Sequence, residues 1–98
     1  MYACEYEVPA GAQMYQAVKA EMGEEPAKGL IAQLVVESGA GLRHTMVFES
    51  AADWEGFRDE RIAPAVAHVL AANGISPAPP RPPERELTVV DVQAAPAR

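Results

Sequence analysis

Residues 29–66, GLIAQLVVESGAGLRHTMVFESAADWEGFRDERIAPAV, decide the fold. Within them, 30–38 (LIAQLVVES) are apolar and partly β-branched, and 42–50 (LRHTMVFES) alternate with period two. Gly39-Ala40-Gly41 lies between the two runs, so they read as a β-hairpin. Ser50 with Asp53 three residues on reads as a helix N-cap, with the hydroxyl accepting from the Asp53 N–H and the carboxylate reaching back. The following helix points Trp54, Phe57 and Ile62 inward and Glu55, Asp59 and Glu60 outward, with Arg58 able to pair with Glu55. Pro64 lacks an N–H and would clash with the Glu60 carbonyl in a continuous α-helix. The helix is therefore expected to end near Ile62, and a second piece to start at Pro64, bury Ala65, Val66, Val69 and Leu70, and close at Asn73-Gly74.

Working outward, residues 2–8 (YACEYEV) alternate as a half-buried strand, with Tyr2, Cys4, Tyr6 and Val8 on one side. Residues 12–22 (AQMYQAVKAEM) switch to helical spacing, and Gly23 stands at the C-cap position. On the other flank, 75–85 (ISPAPPRPPER) hold five prolines and read as an extended, semi-rigid spacer. Residues 86–92 (ELTVVDV) read as a final strand, and 94–98 as a flexible tail.

The order strand, helix, strand, strand, helix, strand predicts an α+β fold. Its expected form is a ferredoxin-like βαββαβ plait with a four-stranded antiparallel sheet, built as one domain over 1–93. Strand 2 has apolar residues in both alternating sets, with Leu30, Ala32, Leu34 and Val36 in one and Ile31 and Val35 in the other. A sheet apolar on both sides needs cover on both, and a second copy packing sheet to sheet through a two-fold contact would provide it.

The formal net charge of −6 and the two lysines, Lys19 and Lys28, argue against a nucleic-acid partner or an anionic membrane surface. The one cysteine, Cys4, forms no intrachain disulfide, and no apolar run approaches the ~20 residues that span a bilayer. A cytoplasmic protein is expected. One Cys and two separated His give no structural zinc spacing, and no phosphate loop or dinucleotide fingerprint is present, so neither a metal nor a cofactor is expected.

The 29–66 stretch resembles the dimeric α+β barrel superfamily, which includes the antibiotic-biosynthesis monooxygenases. It is similar to a bacterial branch of uncharacterised members in its Gly29-Leu30-Ile31 opening, its aromatic-Glu-Ser at Phe48–Ser50, its F-R-D-E-R helix from Phe57 and its Pro64. The likeness covers about residues 2–92. It implies a homodimer with a small pocket between sheet and helices in each subunit. The superfamily includes cofactor-free quinone-forming oxygenases, haem-degrading enzymes, muconolactone isomerases and members without known activity. Two positions depart from it: Phe48 stands where many relatives carry Trp, and Gln33 where several carry His.

His44 is the candidate catalytic residue, a general base on an apolar strand face; the alternative is a neutral core histidine. Tyr6, Gln33, Phe48 and Trp54 are the candidate pocket residues, with Tyr15 a further phenol donor; the alternative is core packing. His68, Cys4, the carboxylates Glu5, Glu7 and Glu49, and the 58–61 charged run read respectively as an exposed histidine, an inert buried thiol, a solvated strand face or a salt bridge to Arg43 across a dimer, and the wet side of a helix. Two readings of function follow. One is a dimer that binds a small apolar or aromatic molecule and oxidises or isomerises it through His44. The other is a non-catalytic binding or structural dimer.

Overall fold

Strand β3 pairs on both its edges, and the fold is built outward from it. The computed structural model describes residues 1–39 and 41–93. The middle of the expected turn, Ala40, and the expected tail at 94–98 lie outside the described residues. β3 is Gly41–Phe48; β2 is Leu30–Ser38, β1 is Tyr2–Val8 and β4 is Arg85–Leu87. The sheet order is β2-β3-β1-β4, and each neighbouring pair is antiparallel. Helix α1 (Ala12–Met22) joins β1 to β2, and a helical run from Ala51 to Ala72 follows β3. The result is an α+β fold compatible with a ferredoxin-like plait.

The expected alternation sets the two faces of the sheet. Tyr2, Cys4, Tyr6 and Val8 face Phe48, Met46, His44 and Leu42 across the β1–β3 ladder, so all eight share one face. Helices cover that face. Cys4, Met46, Phe48 and Trp54 form its buried centre, with Tyr2, Tyr6, Phe57 and Ile62 packed around them. The opposite face carries no helix. There Leu34 is 60% exposed and Val36 37% exposed, beside Val47 and Thr45 of β3.

β2 is an edge strand without a single buried residue. It departs from the expected split in one respect. The register shifts between Leu30 and Ala32, so Leu30 pairs with Phe48 and Ala32 with Val47. This bulge moves Leu30 onto the helix-side face, leaving Ala32, Leu34 and Val36 on the open one.

The division falls where the sequence puts it, with Ile62 ending one piece and Pro64 in the first turn of the next, but the chain does not leave helix between them. α2 (Ala51–Phe57) passes through one π turn (Arg58–Ile62) straight into α3 (Ala63–Ala72). The Ala63 N–H donates to the Arg58 carbonyl, five residues back. Widening the turn just ahead of the proline gives its ring room that a regular α turn denies, so the chain stays helical through it. The N-cap is as expected on its first half, with the Asp53 N–H donating to Ser50 Oγ at 3.1 Å. The Asp53 carboxylate packs against Gly29 and lies 3.9 Å from Lys28 Nζ instead of turning back to Ser50.

β4 is shorter than the expected 86–92 strand. It pairs only with β1, Ala3 facing Leu87, so the ladder has almost reached the limit of β1 at Tyr2. Beyond it Val90 is 94% exposed.

Two glycines test how tightly the hairpin and helix are joined. Gly29 has φ 77°, and a Cβ there would run into the Asp53 carboxyl. Gly29→Ala is expected to lower stability by about 1–2 kcal/mol from backbone strain alone, with the side-chain clash added. Gly56, inside α2 with open space around its Cα, is the opposite case. Gly56→Ala is expected to raise stability by about 1 kcal/mol. Urea unfolding midpoints of the two variants should move in opposite directions.

Candidate functional site

The β1–β3 register and α2 together set a row of rings across the helix-covered face. Tyr15 of α1 meets the His44 ring edge-on at 5.6 Å. His44 stacks on Tyr6 at 4.8 Å with the planes 9° apart. Tyr6 continues to Trp54 at 5.9 Å, and Trp54 to Phe48 at 5.7 Å. Four of the five predicted site residues are therefore in one contact chain. Gln33 is not among them: it is exposed on β2, in register with Met46, while Val35 faces His44.

Within the row the residues differ in access. Phe48 and Trp54 are fully buried, at 0% and 1% exposure. His44 is 8% exposed, and its Nδ1 has no hydrogen-bond partner among the described residues. A buried polar atom left unpaired costs about 1–3 kcal/mol. Burial also disfavours the imidazolium, pushing the His44 pKa below its usual value. The ring is thus a neutral imidazole with one nitrogen unsatisfied. Such a group accepts a proton or a hydrogen bond from a hydroxyl brought against it. Burial raises the Tyr6 pKa, so its phenol stays protonated beside the imidazole. Burial likewise pushes the Cys4 thiol up to about 11, which keeps it neutral and a poor nucleophile.

A second polar group was not legible in the sequence. Glu84, in the segment read as a spacer, accepts from Trp54 Nε1 at 3.0 Å, and Arg58 Nη1 donates to both its carboxylate oxygens at 3.2 Å. Arg58 does not pair with Glu55. Its other edge is held by Asp59, Nε to Oδ1 at 2.8 Å and Nη2 to Oδ2 at 3.2 Å. Arg81 then donates to Asp59 at 3.0 Å. Arg58 lowers the Asp59 pKa. The one signal available was parity: Glu84 sits two before Glu86, which faces Cys4, so strand geometry carries Glu84 to the covered face.

The remaining candidates hold surface positions. Glu7 pairs with Arg43 at 3.4 Å, and Glu5 with Arg85, both within the chain. His68 is exposed and meets Glu21 at 3.1 Å. Among the described residues, one surface hollow of about 560 Å³ lies among Met1 and residues 86–92, and another of about 450 Å³ is lined by Glu5, Tyr6, Glu7, Arg43, Pro83 and Arg85. Neither is lined by His44 or Trp54.

No protein-family model matches the chain, and no curated protein matches it. Among the described residues no helix is long and apolar enough to cross a membrane.

The unsatisfied imidazole has a measurable consequence. His44→Phe keeps a flat ring against Tyr6 and removes the unpaired atom, so it is expected to raise stability at pH 7 by about 1 kcal/mol or more. The sign with pH follows from the lowered pKa. Above the ordinary value of 6.5 both folded and unfolded chains carry neutral His44. Below it the unfolded chain binds the proton first, so this contribution to stability is lost as pH falls. The margin of His44→Phe over the wild type should therefore widen from pH 7 to pH 5 in urea titrations. Parallel curves would mean that His44 is satisfied and freely protonated.

Proposed function

We propose that the protein is a homodimer that binds a small, flat, largely apolar molecule carrying a hydroxyl group, with His44 as the polar contact. The carrying observation is the unpartnered Nδ1 of His44, buried between Tyr6 and Tyr15. A folded chain gains stability by filling such a position with Leu or Phe, and this one keeps a histidine that costs free energy. A ligand hydroxyl supplies the missing partner, and Tyr6, Tyr15 and Val35 offer it flat or apolar surface. Of the chemistries found among the dimeric α+β barrel proteins that the chain resembles, cofactor-free oxygenation of a phenolic substrate is the one proposed. His44 takes the acidic proton, O2 is the oxidant, and a ring methylene becomes a carbonyl with one oxygen atom leaving as water.

Incubating phenols of the anthrone type with the protein in air and under nitrogen tests this reading. The expected outcome is oxygen-dependent quinone formation that falls at least about 100-fold in His44→Ala, the usual scale for loss of a general base. Binding without turnover would leave a ligand carrier. Neither binding nor turnover would favour the second reading, a non-catalytic dimer. That reading is supported by Phe48 and Trp54, which fill the interior at 0% and 1% exposure.

The partner in this proposal is a second copy. The uncovered face presents Ala32, Leu34, Val36 and Val47, and its charges Glu5, Glu7, Arg43 and Arg85 are already paired within the chain. An apolar strip rimmed by neutralised pairs is self-complementary, as a two-fold contact requires. β2 also offers an unpaired edge, and the Val90 side of the final segment is free to meet it. Leu34→Glu alters a side chain already 60% exposed, so the monomer fold should survive it. Sedimentation analysis is expected to show a dimer for the wild type and a monomer for Leu34→Glu.

A further inference from the structure

The Pro-rich segment 75–84 lies outside helices and strands, and nearly all of it is exposed. Its side-chain attachments to the helical run are polar. Arg81 reaches Asp59, and Glu84 reaches Trp54 and Arg58. The Glu84 attachment is the enclosed one, with the Glu84 and Arg58 side chains at 18% and 17% exposure. Trp54 and Arg58 stand one helical turn apart, so the indole N–H and the guanidinium point to the same place. Asp59 grips the far edge of the guanidinium and leaves Nη1 aimed at that place. A neutral N–H donor beside an oriented Arg is a carboxylate receptor.

We propose that Trp54 and Arg58 form a carboxylate-binding notch that Glu84 fills from within the chain, so that Glu84 latches the Pro-rich strap and a carboxylate-bearing ligand or acidic peptide competes for the same place. This site is separate from His44 and does not depend on the ligand assigned there. With the strap closed, Glu84 acts at the high effective concentration of a tethered group. A free carboxylate therefore meets an occupied notch in the wild type and an empty one when Glu84 is removed.

Trp54 is the only tryptophan, so its indole N–H gives one resonance in a proton–nitrogen spectrum. In the wild type this signal should sit downfield and not respond to sodium formate. In Glu84→Ala it should move upfield, then return saturably towards the wild-type position as formate is added, while sodium chloride at equal ionic strength has no such effect. Adding Arg58→Ala to Glu84→Ala should abolish the saturation. Identical indole positions in wild type and Glu84→Ala, or equal responses to formate and chloride, would overturn the proposal. Glu84→Gln covers the case in which Glu84→Ala does not fold. It keeps an acceptor for the indole but not the charge. Its strap should open more often, so its indole signal should respond saturably to formate where the wild-type signal does not. A formate response no different from that of the wild type would count against a separate latch.

Discussion

The antiparallel register of β1 against β3 is the constraint on which the rest depends. It places Cys4 opposite Met46, Tyr6 opposite His44 and Tyr2 opposite Phe48. A slip of β1 by one residue against β3 would send Tyr2, Cys4 and Tyr6 to the open face and bring Glu5 and Glu7 under the helices. Burying those charges without rearranged partners would cost several kcal/mol each. The register is therefore strongly selected, and the ring row from Tyr15 to Phe48 is its direct product. His44 is in the core because its neighbours on the same face, Leu42 and Met46, must be there.

The cover over that face is uneven. α2 brings Trp54 to full burial between Tyr6 and Phe48, whereas α1 contains no buried residue and reaches the row through Tyr15. The helix that matters most continues past Pro64 through a π turn, and the same turn carries Arg58 and Asp59. The local adjustment that tolerates the proline thus coincides with the place where the Pro-rich strap is fastened. On the far side of the sheet, β2 keeps apolar side chains in water on its open face. That is the surface the proposed second copy would cover.

Much of the architecture was readable from pattern alone. The alternation in YACEYEV and LRHTMVF, the glycine after Met22 and the Ser50 cap each reflect a local rule with a period or a stereochemical preference behind it. Pro64 marked the start of the second helical piece correctly, but the rule behind it concerns a regular α turn and gave no sign that a wider turn would join the two pieces. ELTVVDV misled because a strand needs a neighbour, and alternation says nothing of where the neighbour ends. The bulge at Ile31 likewise arises from pairing with β3, which β2 does not encode by itself.

The candidate residues show the same division. His44, Tyr6, Phe48 and Trp54 were legible because each lies on the apolar side of a periodic element. The sequence by itself determined which side of each strand and helix is apolar, and hence which residues compose the core. Only the tertiary structure decided that the His44 nitrogen has no partner among the described residues and that Glu84, from a proline-rich spacer, closes on Trp54 and Arg58. Periodicity is a property of neighbours along the chain, whereas hydrogen-bond satisfaction depends on groups brought together from 26 and 30 residues apart.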